Sequence, residues 1–179
     1  MIVKSPAREK GLIFQCSGEL RWRIACVGMG RTSAGLVLFR RTSAGVEVLL
    51  VHPGGPFFAR KDAGEWSIPK GEVAEGEALL ATARREFAEE LGFAANGAFL
   101  PLGEVKQKGG KTVHAWAVEG DCDVGTCRSN TFKMEWPPRS GKWAEFPEVD
   151  RAEFFSLAAA REKINTGQAP LLDQLERLL

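Results

Sequence analysis

The chain has 179 residues, a length typical of one domain, with 44% hydrophobic and 26% charged residues. This is the composition of a globular protein with enough apolar material for a core, and it excludes a disordered chain. The 24 basic and 23 acidic residues give a net charge of +1. Proteins that bind nucleic-acid backbones or anionic membranes need a basic excess, so we expect no stable nucleic-acid partner and no membrane association.

Three absences in the sequence point to a cytoplasmic protein. The four cysteines are too few for a disulfide scaffold and lack the spacing of a zinc site. No apolar run approaches the ~18 residues of a membrane span. The N-terminal segment has only a short apolar patch at residues 12–14, which does not match a secretory signal.

Regular patterns begin at Thr32. Apolar and β-branched runs predict strands over residues 33–40 and 46–52, joined by a hairpin turn. Residues 52–62 contain proline and glycine pairs and are predicted to form a loop, and residues 66–68 a short extended piece. Residues 1–28 show neither periodicity. We expect them to be an N-terminal extension, either loosely attached or docked through Trp22, Ile24 and Val27, ahead of a domain over 29–179.

The remaining elements alternate between strands and helices. Apolar residues at spacings of three and four predict a helix over 77–91, and Gly92 predicts its end. Further along, the pattern predicts two strands over residues 99–105 and 112–118, followed by a long loop over 121–140. Two helices are predicted over residues 154–163 and 171–179. This order predicts a mixed α/β domain with helices packed on a sheet.

The predicted helix over 77–91 carries a dense set of acids. Residues three and four apart share a helix face, so Glu86, Glu89 and Glu90 are expected to converge beside Arg85. Three neighbouring carboxylates repel one another unless divalent cations lie between them, and all-oxygen ligands indicate Mg²⁺ or Mn²⁺. The alternative interpretation is a solvated acidic face on a surface helix.

The spacing of the acids favours the metal site. The sequence fits the pattern G-x5-E-x7-R-E-U-x-E-E-x-G-U, with U a bulky apolar residue, at every position. These positions are Gly71, Glu77, Arg85, Glu86, Phe87, Glu89, Glu90, Gly92 and Phe93. The pattern resembles the Nudix box, and the chain is therefore similar to the Nudix hydrolases. The resemblance implies the Nudix fold, a mixed β-sheet sandwiched between α-helices.

The resemblance also implies an activity and a set of roles. Nudix hydrolases cleave a nucleoside diphosphate linked to a group X, with water attacking phosphorus. Glu89 and Glu90 would be the principal ligands of Mg²⁺, with Mn²⁺ as an alternative, and Glu86 a further ligand or the general base. Gly71 would offer a backbone carbonyl to the metal, and Arg85 would hold the carboxylates through charge-assisted hydrogen bonds. Arg85, Glu86 and Glu89 thus form the expected catalytic set.

Many family members recruit one more acid from a distant loop. We expect Glu148 to fill this role, because it stands six residues ahead of Phe154–Phe155. The other candidates are Glu119, Glu135 and Glu145.

The substrate is less constrained than the reaction. The entry Pro69-Lys70-Gly71 resembles dinucleoside polyphosphate hydrolases, which implies Lys70 as a substrate-binding residue and diadenosine tetraphosphate as a substrate. However, the tyrosine that such enzymes often carry 16–18 residues past the box is absent from positions 109–111. A pyrophosphohydrolase for noncanonical or oxidised nucleoside triphosphates therefore stays open. So does a catalytically silent Nudix module that senses or binds a ligand, although such modules typically lose the box glutamates.

Overall fold

The computed structural model describes residues 31–179, so the predicted extension over residues 1–28 lies outside the described residues. The described chain forms eight β-strands, one 3₁₀ turn and three α-helices. The strands are β1 (Thr32–Thr42), β2 (Gly45–Pro53), β3 (Lys70–Glu72), β4 (Leu100–Lys106), β5 (Thr112–Glu119), β6 (Thr131–Glu135), β7 (Trp143–Pro147) and β8 (Val149–Ser156). The helices are α1 (Leu79–Leu91), α2 (Leu157–Lys163) and α3 (Ala169–Leu178), and the 3₁₀ turn is Val124–Thr126.

Six strands form one mixed sheet, in the order β4-β5-β1-β2-β8, with β3 paired to β1. The pair β1 and β5 is parallel, and the other pairs are antiparallel. Strands β6 and β7 form a separate antiparallel hairpin. The central strand β1 is buried from Ser33 to Phe39, because both faces of the sheet are covered.

Helices cover the sheet on both sides. Helix α1 packs on one face and buries Ala83, Phe87 and Leu91 completely. Helix α3 packs on the opposite face through Leu171 and neighbouring leucines, together with α2. Each face therefore has its own apolar core, and the predicted sheet between helices is confirmed.

The predicted end of α1 is confirmed, whereas its start is two residues later than predicted. Gly92 has a φ of 82° and its N–H donates to the carbonyl of Ala88 at 2.8 Å, so the left-handed residue ends the helix. Glu77 lies in the preceding turn, where its N–H donates to the carbonyl of Ala74 at 3.0 Å. Glu77 therefore reaches the helix from outside it.

Two predictions for the second half of the chain are wrong in part. Residues 121–140 are not wholly loop, because they contain the 3₁₀ turn and β6. Residues 154–156 belong to β8 and not to a helix, since Phe154 and Phe155 pair with Leu49 and Val48 of β2 and pack on opposite faces of the sheet. An apolar pair of this kind fits a strand buried on both faces as well as it fits a helix.

The last two helices begin at residues other than those predicted. Helix α2 begins only at Leu157, after the Ser156 hydroxyl accepts a hydrogen bond from the N–H of Ala159 at 3.3 Å. Helix α3 begins at Ala169, before Pro170, because proline is tolerated in the first turn of a helix.

None of the helices in residues 31–179 has the length and apolar character needed to span a bilayer.

Candidate active site

The box residues meet where β3 packs against the second half of α1. Strand β3 is only three residues long, but its pairing of Gly71 with Ala34 places it against the central strand of the sheet. The helix is amphipathic, so its apolar side rests on the sheet while its acids lie along one edge. The acids therefore face the backbone of β3.

Arg85 organises three of the acids. Its Nε and Nη2 donate to the two carboxylate oxygens of Glu77, both at 3.0 Å. Its Nη1 donates to Glu86 at 2.6 Å and to Glu89 at 3.1 Å. The hydrogen bonds from Arg85 lower the pKa of Glu77 to about 2, so this carboxylate is ionised throughout the neutral range. These are the contacts of a positioning residue.

Gly71 is required because the carboxylate of Glu86 occupies the space that a side chain would fill. A Cβ atom at this position would lie 1.8 Å from Cδ of Glu86 and 1.9 Å from one of its oxygens. Any residue other than glycine at position 71 would have a Cβ atom in this space and would push the carboxylate of Glu86 away from the backbone of β3. Gly71 and Arg85 therefore restrain Glu86 from two sides.

Glu90 is largely enclosed, and its Oε2 has no hydrogen-bond partner within residues 31–179. Burial raises the pKa of Glu90 to about 7, and the charges of Glu86 and Glu148 act in the same direction. The charge and the backbone N–H of Lys70 oppose this rise only in part. A buried carboxylate oxygen without a partner is costly, and a divalent cation is a group that could satisfy it here.

Lys70 lies beside the acids on β3, half-buried. Burial lowers its pKa, with the charge of Lys111 acting in the same direction and the charges of Glu90 and Glu86 opposing it. Lys111 is therefore a further cation whose charge acts on Lys70, and sequence reasoning missed it. Nothing in its local sequence marks it, since it follows a glycine turn in an ordinary hairpin.

The structure brings Glu148 to the box acids from a distant part of the chain. Glu148 is the bend between β7 and β8, and partial burial raises its pKa, with the charges of Glu86 and Glu89 adding to the effect. Its N–H donates to the carbonyl of Asn130 at 2.9 Å, and the N–H of Asn130 donates to the carbonyl of Glu89 at 3.1 Å. The backbone of Asn130 thus links Glu148 to α1.

A second anchor of Glu148 is Gly54, which the sequence interpretation treated only as loop. Its N–H donates to the carbonyl of Glu148 at 2.8 Å. A Cβ atom on Gly54 would lie 2.0 Å from the carbonyl oxygen of Pro147, so only glycine allows this approach. The Pro53-Gly54-Gly55 sequence was the available signal.

The other three candidate acids have partners away from the box. Glu119 forms an ion pair with Arg41 at 3.5 Å. Glu135 accepts a hydrogen bond from the N–H of Gly141 at 2.6 Å, within the β6–β7 hairpin. Glu145 accepts from the hydroxyl of Thr131.

A cavity of about 320 Å³ opens beside the acids. Glu90 lines it from α1, Arg128 and Ser129 from the segment after the 3₁₀ turn, and Arg151 from β8. Ser129 fixes this wall, because its hydroxyl donates to the carbonyl of Val149 and accepts from its N–H, both at 3.1 Å. Among the box acids, Glu90 therefore borders open space large enough for part of a ligand.

The donor set fits a hard divalent cation. Glu86, Glu90 and Glu148 are acidic neighbours whose charges oppose one another, and one buried oxygen of Glu90 is unpaired. Within residues 31–179 no three acidic, histidine or cysteine side chains are already gathered into a closed metal-binding group. Arg85 holds the oxygens of Glu86 and Glu89 instead.

The NUDIX domain family model matches residues 29–175 of the chain. The chain belongs to the Nudix family. Nudix hydrolases act on phosphorus-containing anhydrides and generally use divalent metal ions, so the predicted enzyme class is confirmed.

Solved Nudix structures share the fold. The Caenorhabditis elegans Ap4A hydrolase, in a binary complex, is 20% identical with a TM-score of 0.58, over 82% of this chain and 96% of that one. The Nudix domain of Shewanella oneidensis NrtR, complexed with ADP ribose, is 18% identical with a TM-score of 0.60, over 89% of this chain and 95% of that one. At these identities the similarity shows the Nudix fold alone.

One curated relative matches a short stretch closely. The mitochondrial ADP-ribose pyrophosphatase of Rattus norvegicus is 61% identical over 31 residues. The match covers 17% of this chain and 9% of the length of that relative.

Proposed function

We propose that the protein is a magnesium-dependent pyrophosphohydrolase that cleaves a nucleoside diphosphate linked to X, with a dinucleoside polyphosphate such as diadenosine tetraphosphate as its substrate. The observation that carries the proposal is the convergence of Glu86, Glu89 and Glu90 with Glu148, beside an unpaired buried oxygen and a lysine.

In this proposal Glu89, Glu90, Glu86 and Glu148, with the carbonyl of Gly71, hold Mg²⁺. Bound divalent ions neutralise phosphate charge and make the attacking water more acidic. Glu86 is placed either to complete the ligand set or to accept the proton of the water, since Gly71 and Arg85 hold its carboxylate in one position. Arg85 keeps the carboxylates apart and oriented while metal and substrate are exchanged.

Lys70 would bind the phosphate chain next to the scissile anhydride. Its ammonium group lies close enough to Glu90 for the two charges to interact, yet it forms no ion pair within 4.0 Å in residues 31–179. A cation held beside a carboxylate cluster suits a substrate whose phosphates occupy the space between them. The Caenorhabditis elegans Ap4A hydrolase shares this fold and is named for a substrate of the proposed class.

ADP-ribose is the second candidate substrate. The close match to the rat ADP-ribose pyrophosphatase favours it, whereas the proline that such enzymes tend to carry about 15 residues past the box is Lys108 in this chain. A catalytically silent module is disfavoured because Glu77, Glu86, Glu89 and Glu90 are all present.

A substrate panel tests the proposal. The full chain would be incubated with Mg²⁺ and diadenosine tetraphosphate, ATP, an oxidised nucleoside triphosphate or ADP-ribose, and the products separated by chromatography. We expect diadenosine tetraphosphate to give ATP and AMP, with oxygen from ¹⁸O-labelled water in one product. Efficient turnover of mononucleotides or ADP-ribose alone would reject the substrate proposal and leave the family membership untouched.

A further inference from the structure

His52, near the end of β2, is a completely buried polar side chain that the proposed reaction does not use. Its Nε2 lies 2.9 Å from the carbonyl oxygen of Lys61, and its Nδ1 lies 2.7 Å from Oδ1 of Asp150. A carbonyl oxygen and an ionised carboxylate can only accept, so the ring donates from both nitrogens as a cation paired with Asp150. His52 therefore joins β2 to the loop that follows it and to the start of β8.

Asp150 is the extra residue of a β-bulge between β2 and β8. His52 pairs with Arg151 across the two strands. The next residue of β2, Pro53, pairs with Val149, so Asp150 is left without a partner on β2. A bulge of this kind bends the strand and changes the direction of the side chains around it.

The bulge decides which face of the sheet Asp150 and its neighbour lie on. Ala152 packs on the α1 face, and strict alternation along β8 would place Asp150 on that face as well. Asp150 instead reaches His52, whose ring contacts Trp66 of the core on the opposite face at 5.2 Å. Val149, three residues before Ala152, packs with the α1 core. The bulge therefore sends Asp150 to one face and returns Val149 to the other.

Glu148 directly precedes β8, two residues from the bulge at Asp150. The bulge thus fixes where the chain that carries Glu148 leaves the sheet. The loop after β2 is fastened at both ends to the same region, because the N–H of Gly54 donates to the carbonyl of Glu148 and the carbonyl of Lys61 accepts from His52. Backbone hydrogen bonds place the bend against its neighbouring loops, and His52 secures the strand from which the bend begins.

Arg151 is a second cation beside Asp150. Its Nε lies 3.6 Å from the same carboxylate oxygen, and its side chain is 43% exposed. His52 is fully buried and makes the shorter contact, at 2.7 Å. Exposed ion pairs contribute little, whereas a short charge-assisted hydrogen bond inside the protein holds its partner in one geometry. His52 is therefore the group that fixes the carboxylate of Asp150.

We propose that His52, paired with Asp150, is a positioning residue that holds the bulge of β8 and thereby keeps Glu148 beside the box acids. His52 touches neither the metal nor the substrate and acts only through the bend. The inference rests on the proposed function for the role of Glu148 as a metal ligand. It adds the group that keeps this ligand in place, and that group lies on the face of the sheet opposite α1.

Two amide variants separate the two hydrogen bonds of the ring. His52→Gln keeps a donor near the position of Nε2 and loses the bond to Asp150, whereas His52→Asn keeps a donor near Nδ1 and loses the bond to Lys61. Each variant lacks one buried hydrogen bond, so both should lower the Tm by a similar amount. Amide hydrogen exchange of the metal-free full chain reports on the bend itself. We expect exchange at the N–H groups of Glu148 and Val149 to be about tenfold faster in His52→Gln than in His52→Asn.

Binding of Mn²⁺ measures the consequence at the metal site without turnover, through the electron paramagnetic resonance signal of the free ion. His52→Gln should weaken binding about tenfold relative to His52→Asn, because loss of a group that orients a ligand has effects of this size. In the Glu148→Gln background the same change should add no further loss. Asp150→Ala removes the same hydrogen bond from the partly exposed side, should match His52→Gln in both measurements, and carries the test if His52→Gln does not fold.

The outcomes distinguish the inference from the proposed function. Equal exchange rates at Glu148 and Val149 in His52→Gln and His52→Asn would overturn the inference, as would losses of Mn²⁺ affinity that add up in the double variant with Glu148→Gln. Faster exchange in His52→Gln, together with wild-type Mn²⁺ affinity in Glu148→Gln, would support His52 as the positioning residue of the bend. That result would also reject the metal-ligand role that the proposed function gives to Glu148.

Discussion

The carboxylate cluster on α1 and the bend that carries Glu148 are built differently. In the cluster, Arg85 spans Glu77, Glu86 and Glu89, and Gly71 leaves just enough room for Glu86. The bend is instead placed by its backbone, because the N–H of Glu148 donates to the carbonyl of Asn130 and its carbonyl accepts from the N–H of Gly54. The comparison teaches that side chains of α1 and the backbone of β3 restrain the box acids, whereas backbone hydrogen bonds between loops place the acid that comes from a distant segment.

The largest expected effect comes from removing charge within the cluster. Glu89→Gln keeps the size of the side chain and its contact with Arg85 but removes a metal ligand, so turnover should fall by about a thousandfold. The change is measured as kcat with saturating Mg²⁺, and circular dichroism checks that the fold is retained. Glu75→Gln, an exposed acid in the loop before α1, is the control and should keep the wild-type rate. A near-normal rate for Glu89→Gln would place the reacting centre elsewhere.

A smaller effect is expected at the edge of the cluster, where the acid comes from a distant loop. Glu148→Gln should lower turnover by about ten- to a hundredfold, because one ligand of several is lost while the box acids remain. Glu145→Gln, only three residues away but bonded to Thr131, should leave turnover unchanged. Comparing kcat of the two variants at several Mg²⁺ concentrations checks the assignment. Equal losses in both would remove Glu148 from the proposed site.

The smallest effect concerns stability and distinguishes the buried acid from the paired ones. The pKa of Glu90 is raised from 4.5 to about 7 in the folded protein. The folded state therefore holds this proton more tightly than the unfolded chain does, and stability is lost as the pH rises from about 4.5 through about 7. Glu90→Gln, which carries no charge, should melt about 2–4 °C above the wild type at pH 8 without metal, and at the same temperature as the wild type at pH 4.

Glu89→Gln serves as the comparison for that melting experiment. Glu89 is 40% exposed and paired with Arg85, so its replacement should not stabilise the protein at pH 8. Melting temperatures measured in a chelator at both pH values decide the point. A wild type as stable at pH 8 as Glu90→Gln would mean that Lys70 compensates the buried charge fully.

Much of the fold could be predicted, and the errors share one cause. The strands β1, β2, β4 and β5 and the end of α1 follow from local periodicity and from Gly92, and they are confirmed. The helix predicted over 154–163 is wrong at its start because Phe154 and Phe155 extend β8 along β2. The hairpin β6–β7 was missed for the same reason. Pairing with a distant strand decides these segments, and single-sequence periodicity does not report it.

In the candidate site, too, local patterns could be predicted from the sequence and long-range contacts could not. Arg85, Glu86, Glu89 and Glu90 could be grouped from the sequence, because a helix brings residues three and four apart onto one face. Glu148 was favoured among four acids only by resemblance, and its role stays a prediction. Lys111 carries no signal of its own, and the Pro53-Gly54-Gly55 sequence indicates a turn but not its contact with Glu148, which comes from the packing after β2.

The sequence by itself therefore determined the local chemistry: the spacing of the box, the carboxylate face of α1, and the glycine against which Glu86 rests. Only the tertiary structure decided which distant groups join it. Glu148 reaches α1 through backbone hydrogen bonds by way of Asn130, and Lys111 lies near Lys70 because β3 and β5 flank the same end of β1. The physical reason is range: helix geometry depends on neighbours a few residues apart, whereas these contacts depend on strand register and packing between segments far apart in the chain.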